Sequence, residues 1–129
     1  MGLQTFDEKT PFLGIARLLD TDGLAAVVLA ATPAYPTRVD AILCSNLDTI
    51  AHVVVLEFQR ISTVVYVGSF SVPAGTGTGG LPSVDLLHEV LPATVGGLLL
   101  TFDITLYARC EVACNAGKGI HFSLLGGTV

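Results

Sequence analysis

The chain has 129 residues and a formal net charge of −5, with 51% hydrophobic and only 13% charged residues. That length fits one domain with a sizeable core, and the charged fraction is about half the roughly 25% of ordinary globular chains. Its six Lys and Arg residues are scattered, which excludes the clustered cations that nucleic acid or another polyanion requires. Two accounts of the scarce charge stay open. One is a compact fold with a Ser, Thr and Gly skin. The other is a surface covered by copies of itself or by a larger partner.

Residues 1–11 are polar and acidic and read as an N-terminal arm, with residues 12–129 as one domain. The arm has no charged-then-apolar leader pattern, so the expectation is a protein folded in the cytoplasm of its host. Phe6 stands where the myristoylation pattern wants Ser or Thr. Phe12 to Asp20 and Leu24 to Thr32 follow as apolar runs joined by Thr21-Asp22-Gly23, and Asp-Gly between such runs predicts a hairpin. The longest apolar run, Leu24 to Ala31, is far short of the ~20 residues that a membrane helix needs. Thr32 to Thr37 is a Pro-rich loop, and Arg38 to Ser45 a further strand ended by Asn46-Leu47-Asp48.

His52, Val54, Leu56 and Phe58 then share one face, and Val64, Tyr66, Gly68, Phe70 and Val72 share another. Only Arg60-Ile61-Ser62 separates these two strands, a hairpin length. Ser83 is placed to cap one short helical turn over Val84 to Leu91, stopped by Pro92. The strictest alternation runs from Asp103 to Cys114, and Ile120, Phe122 and Leu124 repeat it after a turn at Asn115-Ala116-Gly117. About eight short strands with turn signals and one helical turn predict an all-β fold: a single antiparallel sandwich or jelly-roll-like domain.

The glycine stretch Gly75-Thr-Gly-Thr-Gly-Gly80 fits the spacing G-x-G-x-x-G. A dinucleotide site needs a long helix starting among those glycines and a parallel sheet beneath. Pro73 and Pro82 bracket the loop instead, and no Lys-Ser/Thr follows for a phosphate loop, so the stretch reads as a flexible solvated loop whose glycines allow φ > 0 or close approach of another chain. Asp20-Thr-Asp22-Gly23 resembles a fragment of a calcium loop but lacks the later oxygen ligands.

Cys44, Cys110 and Cys114 make an odd count and read as buried free thiols. In one continuous strand Cys110 and Cys114 would stand ~13 Å apart, too far for a disulfide. No C-x-x-C or adjacent His suggests a zinc site. His52, His88 and His121 sit on different elements, with His52 read as a hydrogen-bonded core histidine. No G-x-S-x-G elbow and no helix-spaced carboxylate pair occurs, so no catalytic residue, metal or cofactor is expected.

Two stretches carry a resemblance. Thr37 to Phe58 is a strand ending in Ser45-Asn46, a turn with Asp48-Thr49, and an apolar strand. Gly68 to Leu87 contains Val72-Pro-Ala-Gly75 and the glycine loop. Together they resemble small β-sandwich virion proteins of tailed bacteriophages, among them capsid decoration or cement proteins. The resemblance implies a non-enzymatic protein in many symmetric copies, often trimers, bound to major capsid protein on the virion. The expected contact residues are Thr5, Phe6, Asp7 and Pro11 in the arm and Pro73, Gly75, Gly77, Gly80 and Pro82 in the loop, since recognition concentrates outside regular strands. A tail or neck component and a sandwich that binds a glycan or small ligand are the alternatives. Nine aromatic residues without Trp disfavour the glycan.

Overall fold

The structure, a computed structural model, describes residues 12–31, 36–92, 97–101 and 103–128. Two antiparallel sheets pack face to face as a β-sandwich. The strands are β1 (Phe12–Leu19), β2 (Val27–Ala31), β3 (Thr37–Asn46), β4 (His52–Arg60), β5 (Thr63–Val72), β6 (Val84–Asp85), β7 (Leu98–Leu100), β8 (Ile104–Cys110) and β9 (Gly119–Thr128), with one helix, α1 (Leu86–Val90). One sheet runs β1-β9-β3-β6 with β7 also paired to β3, and the other runs β2-β8-β4-β5. Between them lies a core that includes Leu18, Ile42, Leu56, Leu106, Phe122 and Leu124, all essentially buried.

The inward pattern of β3 changes phase. Thr37 and Val39 are buried, then Ile42, Cys44 and Asn46. The register against β9 slips between Val39 and Ala41. One extra residue at such a bulge moves every later side chain to the other face, which restores the apolar set to the core.

Several expectations need correction. Asp22-Gly23 does not close a hairpin: β1 pairs with β9 and β2 with β8. The segment is a 3-10 turn over Asp20–Asp22 that carries the chain from one sheet to the other. Asp22 bends it by accepting the Leu19 N–H at 2.7 Å, and Asp20 accepts the Gly117 N–H at 3.1 Å, so both carboxylates serve the backbone. The second strand begins at Val27 rather than Leu24, consistent with the weak strand preference of the preceding alanines. Val84 and Asp85 belong to β6, not to a helix, and Asp85 accepts the Ile42 N–H at 3.2 Å while Ser83 meets Ser45 at 3.0 Å. The helix is therefore only five residues long.

Short as it is, α1 closes one open side of the sandwich. Leu86 and Leu87 are fully buried, and α1 touches both β3 and β5, one strand from each sheet. Gly68 on β5 makes that approach feasible, because a Cβ there would meet Val90 Cγ1 at 2.7 Å. Gly68→Ala is expected to destabilise the fold by about 1–3 kcal/mol through overpacking. Val90→Ala should offset part of that loss, so thermal unfolding of the double variant should show less destabilisation than the two single losses added.

Candidate functional site

Two places carry unusual chemistry, one at each end of the four-stranded sheet. At the first end, β4 starts at His52 beside the last residue of β5, Val72. Asp48, in the β3–β4 connection, is buried and charged. Its Oδ2 accepts from His52 Nε2 at 2.7 Å and from the Asn115 N–H at 2.9 Å, and its Oδ1 from the Thr49 N–H at 2.6 Å and Asn115 Nδ2 at 2.9 Å. Burial pushes the Asp48 carboxyl upward. The donors from Asn115, His52 and Thr49 outweigh it and hold the group well below the usual carboxylate range.

Asn115 reaches Asp48 only because β8 ends at Cys110. The sequence alternation predicts one strand through to Cys114. The chain instead bends at Glu111-Val112 and leaves Val112 60% exposed. The straight strand on which a ~13 Å Cα separation of Cys110 and Cys114 depends is therefore not formed. A His52 ring nitrogen, Cys110 Sγ and Cys114 Sγ all lie within 4.8 Å of one another. The His52 side chain is completely buried, and its Nδ1 has no hydrogen-bond partner. Cys44 sits in the same core, also buried.

An Asp–His–Cys order resembles a nucleophilic triad, but a nucleophile needs a thiolate and access. Burial first, then neighbouring thiols and, for Cys110, Asp48, pushes the Cys44 and Cys110 thiols up to about 12, and burial raises Cys114 as well. Buried thiols held protonated in this way are poor nucleophiles in the metal-free protein.

The glycine loop adjoins this end. It is a chain of turns docked on the end of β3: Gly75 N–H donates to Asn46 O at 3.0 Å and Asn46 N–H to Thr76 O at 2.9 Å. Thr76 is buried and its hydroxyl donates to Pro73 O at 2.6 Å. Gly77 has φ +81, and a Cβ there would meet Ser45 Cβ at 2.7 Å, so the close approach is to this chain's own strand. The loop is thus tied down rather than free, and α1 starts only at Leu86 beside antiparallel strands, so the dinucleotide fingerprint does not form. Of the expected contact residues, Pro73, Gly77, Gly80 and Pro82 are exposed and Gly75 is half-buried. Thr5, Phe6, Asp7 and Pro11 lie outside the described residues.

At the opposite end, the β4–β5 hairpin turns at Ile61-Ser62. Ile61 is 86% exposed and takes a left-handed φ of +57, a conformation a β-branched residue adopts only at a cost of about 1–3 kcal/mol. Val64, Val65 and Tyr66 are more than half exposed, although they alternate between the two faces of β5. A groove of about 660 Å³ beside them is lined by Phe58, Arg60, Ile61, Thr63, Val65 and Ile104, among others. Sequence alternation assigned β5 a buried face along its whole length and gave no sign of this apolar tip.

Comparison with known proteins gives no match to a family model, a curated protein or a solved structure.

Two outcomes follow for the buried end. Asp48 has a folded value below its unfolded value of about 3.9, so its stabilisation is fully present above about pH 5 and is lost as pH falls through the folded value. Asp48→Asn is expected to cost about 2–4 kcal/mol at pH 7, because amide hydrogens would face donors. It should also flatten the acid limb of a melting-temperature profile. The three thiols should resist iodoacetamide at pH 8 in the native protein and all react in denaturant, as intact mass before and after unfolding would show.

Proposed function

We propose that this chain is a non-enzymatic structural protein of a bacteriophage virion, which decorates and stabilises the capsid in many symmetric copies. The observation that carries the reading is the apolar hairpin tip. Ile61, Val64, Val65 and Tyr66 project from an edge strand of a chain that has little charge with which to solvate itself. Exposed edge strands with apolar side chains pair or aggregate unless something covers them. A second copy of the same chain is the simplest cover, and apolar patches of this kind belong to obligate homo-oligomers.

In this reading the hairpin tip joins the copies, as a trimer, and the exposed loop from Pro73 to Pro82 contacts major capsid protein. The turn-rich stretches from Thr37 to Leu87 that resemble decoration proteins support the assignment. Binding only to the assembled shell would stabilise it by mass action, and repeated weak contacts would add through multivalency.

Light scattering on a sizing column should give three times the protomer mass of 13.4 kDa down to low concentration. Ile61→Asn combined with Val65→Asn should give a folded monomer, since Asn tolerates the left-handed turn and removes apolar contact area. The wild-type trimer should co-sediment saturably with shells of the major capsid protein encoded in the same genome. A wild-type monomer that ignores such shells would contradict the proposal.

A further inference from the structure

We propose that His52, Cys110 and Cys114 form a buried binding site for one soft, thiophilic metal ion, with copper(I) the favoured occupant. The inference is independent of the virion reading and rests on the first end of the sandwich alone.

The donor set is the first observation. Two sulfurs and one imidazole nitrogen converge within 4.8 Å. Metal–sulfur and metal–nitrogen bonds of about 2.3 and 2.0 Å place donors roughly 3.5–4 Å apart, so donors within 4.8 Å of one another need close by about 1.3 Å at most. Thiolate and imidazole are the ligands of copper(I) and zinc rather than of magnesium or calcium.

The orientation of His52 is the second, independent observation. Both Asp48 oxygens already accept from N–H groups of Thr49 and Asn115, so the His52 nitrogen 2.7 Å from Oδ2, Nε2, is placed as the donor. In the neutral ring the lone pair then lies on Nδ1. It is buried with no hydrogen-bond partner, the only such side-chain atom among the described residues. An orphaned buried acceptor is expensive in a core. A carboxylate that fixes the imidazole of a histidine beside a pair of thiols is the arrangement that orients metal-binding histidines.

The donor count favours copper(I). Structural zinc sites take four protein ligands, whereas copper(I) is satisfied by two or three soft ones. Cys44 is not among the atoms that converge within 4.8 Å. Cys114 lies on the irregular segment between β8 and β9, and it is the least buried of the three donors at 8% exposure, so the ion would enter from its side. Binding displaces one proton from each thiol into solvent and changes no oxidation state.

The test uses the full-length protein, reduced and freed of metal, titrated anaerobically with copper(I) against a chromophoric chelator and separately with cobalt(II) as an optical stand-in for zinc. The expected result is one equivalent of copper(I), a thiolate-to-metal charge-transfer band, and a raised melting temperature. Cys110→Ala and Cys114→Ala should each weaken copper(I) binding at least a hundredfold. Cys44→Ala should leave it within threefold and so controls for core packing, with circular dichroism confirming the fold of each variant. Cobalt(II) should bind more weakly than copper(I). The proposal is overturned if the wild type takes up no stoichiometric copper(I), or if binding survives in the folded Cys110→Ala, Cys114→Ala double variant.

Discussion

One buried carboxylate organises this sandwich. Asp48 sits between the connection from β3 to β4 and the connection from β8 to β9, and each of those connections joins one sheet to the other. By accepting from Thr49, His52 and Asn115, it fastens two crossovers that are 67 residues apart in sequence. Asn46 extends the network: its amide donates to Ile50 O and Val72 O, each at 3.0 Å, and its carbonyl oxygen accepts the Asp48 N–H. In a low-dielectric interior removal of one member of such a network strands the rest, and here only His52 Nδ1 among the described buried side-chain atoms is without a partner. The bend after Cys110, the place of Cys114 and the fixed ring of His52 all follow from that joint.

The parts of the fold legible in the sequence are those where a local period coincides with the final packing. The alternation of Ile120, Phe122 and Leu124 marks β9, and the short Arg60-Ile61-Ser62 link marks the β4–β5 hairpin; both elements form. Elsewhere a distant contact overrides the local signal. Period two runs on through Val112 and Cys114, yet Asn115 is held at Asp48 and the strand ends at Cys110. Asp22-Gly23 turns, but its partners lie on other strands, so a corner forms where a hairpin signal stood. β6 and β7 have two and three residues and are too short to show any period.

The candidate sites were hidden for the same physical reason. His52, Cys110 and Cys114 come from two separate segments, and spacing along one chain carries no information about convergence across a sheet. The apolar tip at Ile61 and Val65 was invisible because alternation shows that one face of a strand differs from the other, not that both faces reach solvent. The glycine loop was only half legible: its left-handed positions are a property of glycine, whereas the contact of Gly77 with Ser45 needs the end of β3 to be known.

The two ends of the four-stranded sheet therefore divide the work. One is polar, hydrogen-bonded and internal. The other is apolar, strained and external, suited to burial against a neighbour. Both the joint and the metal-binding proposal depend on how His52 is held, so the most direct measurement is a long-range nitrogen–proton NMR correlation of the His52 imidazole in the metal-free protein at pH 7. The account predicts a ring with its hydrogen on Nε2 and a bare Nδ1 lone pair. A hydrogen on Nδ1 and none on Nε2 would contradict it, because Asp48 would then lose the His52 donor and the lone pair would face the carboxylate.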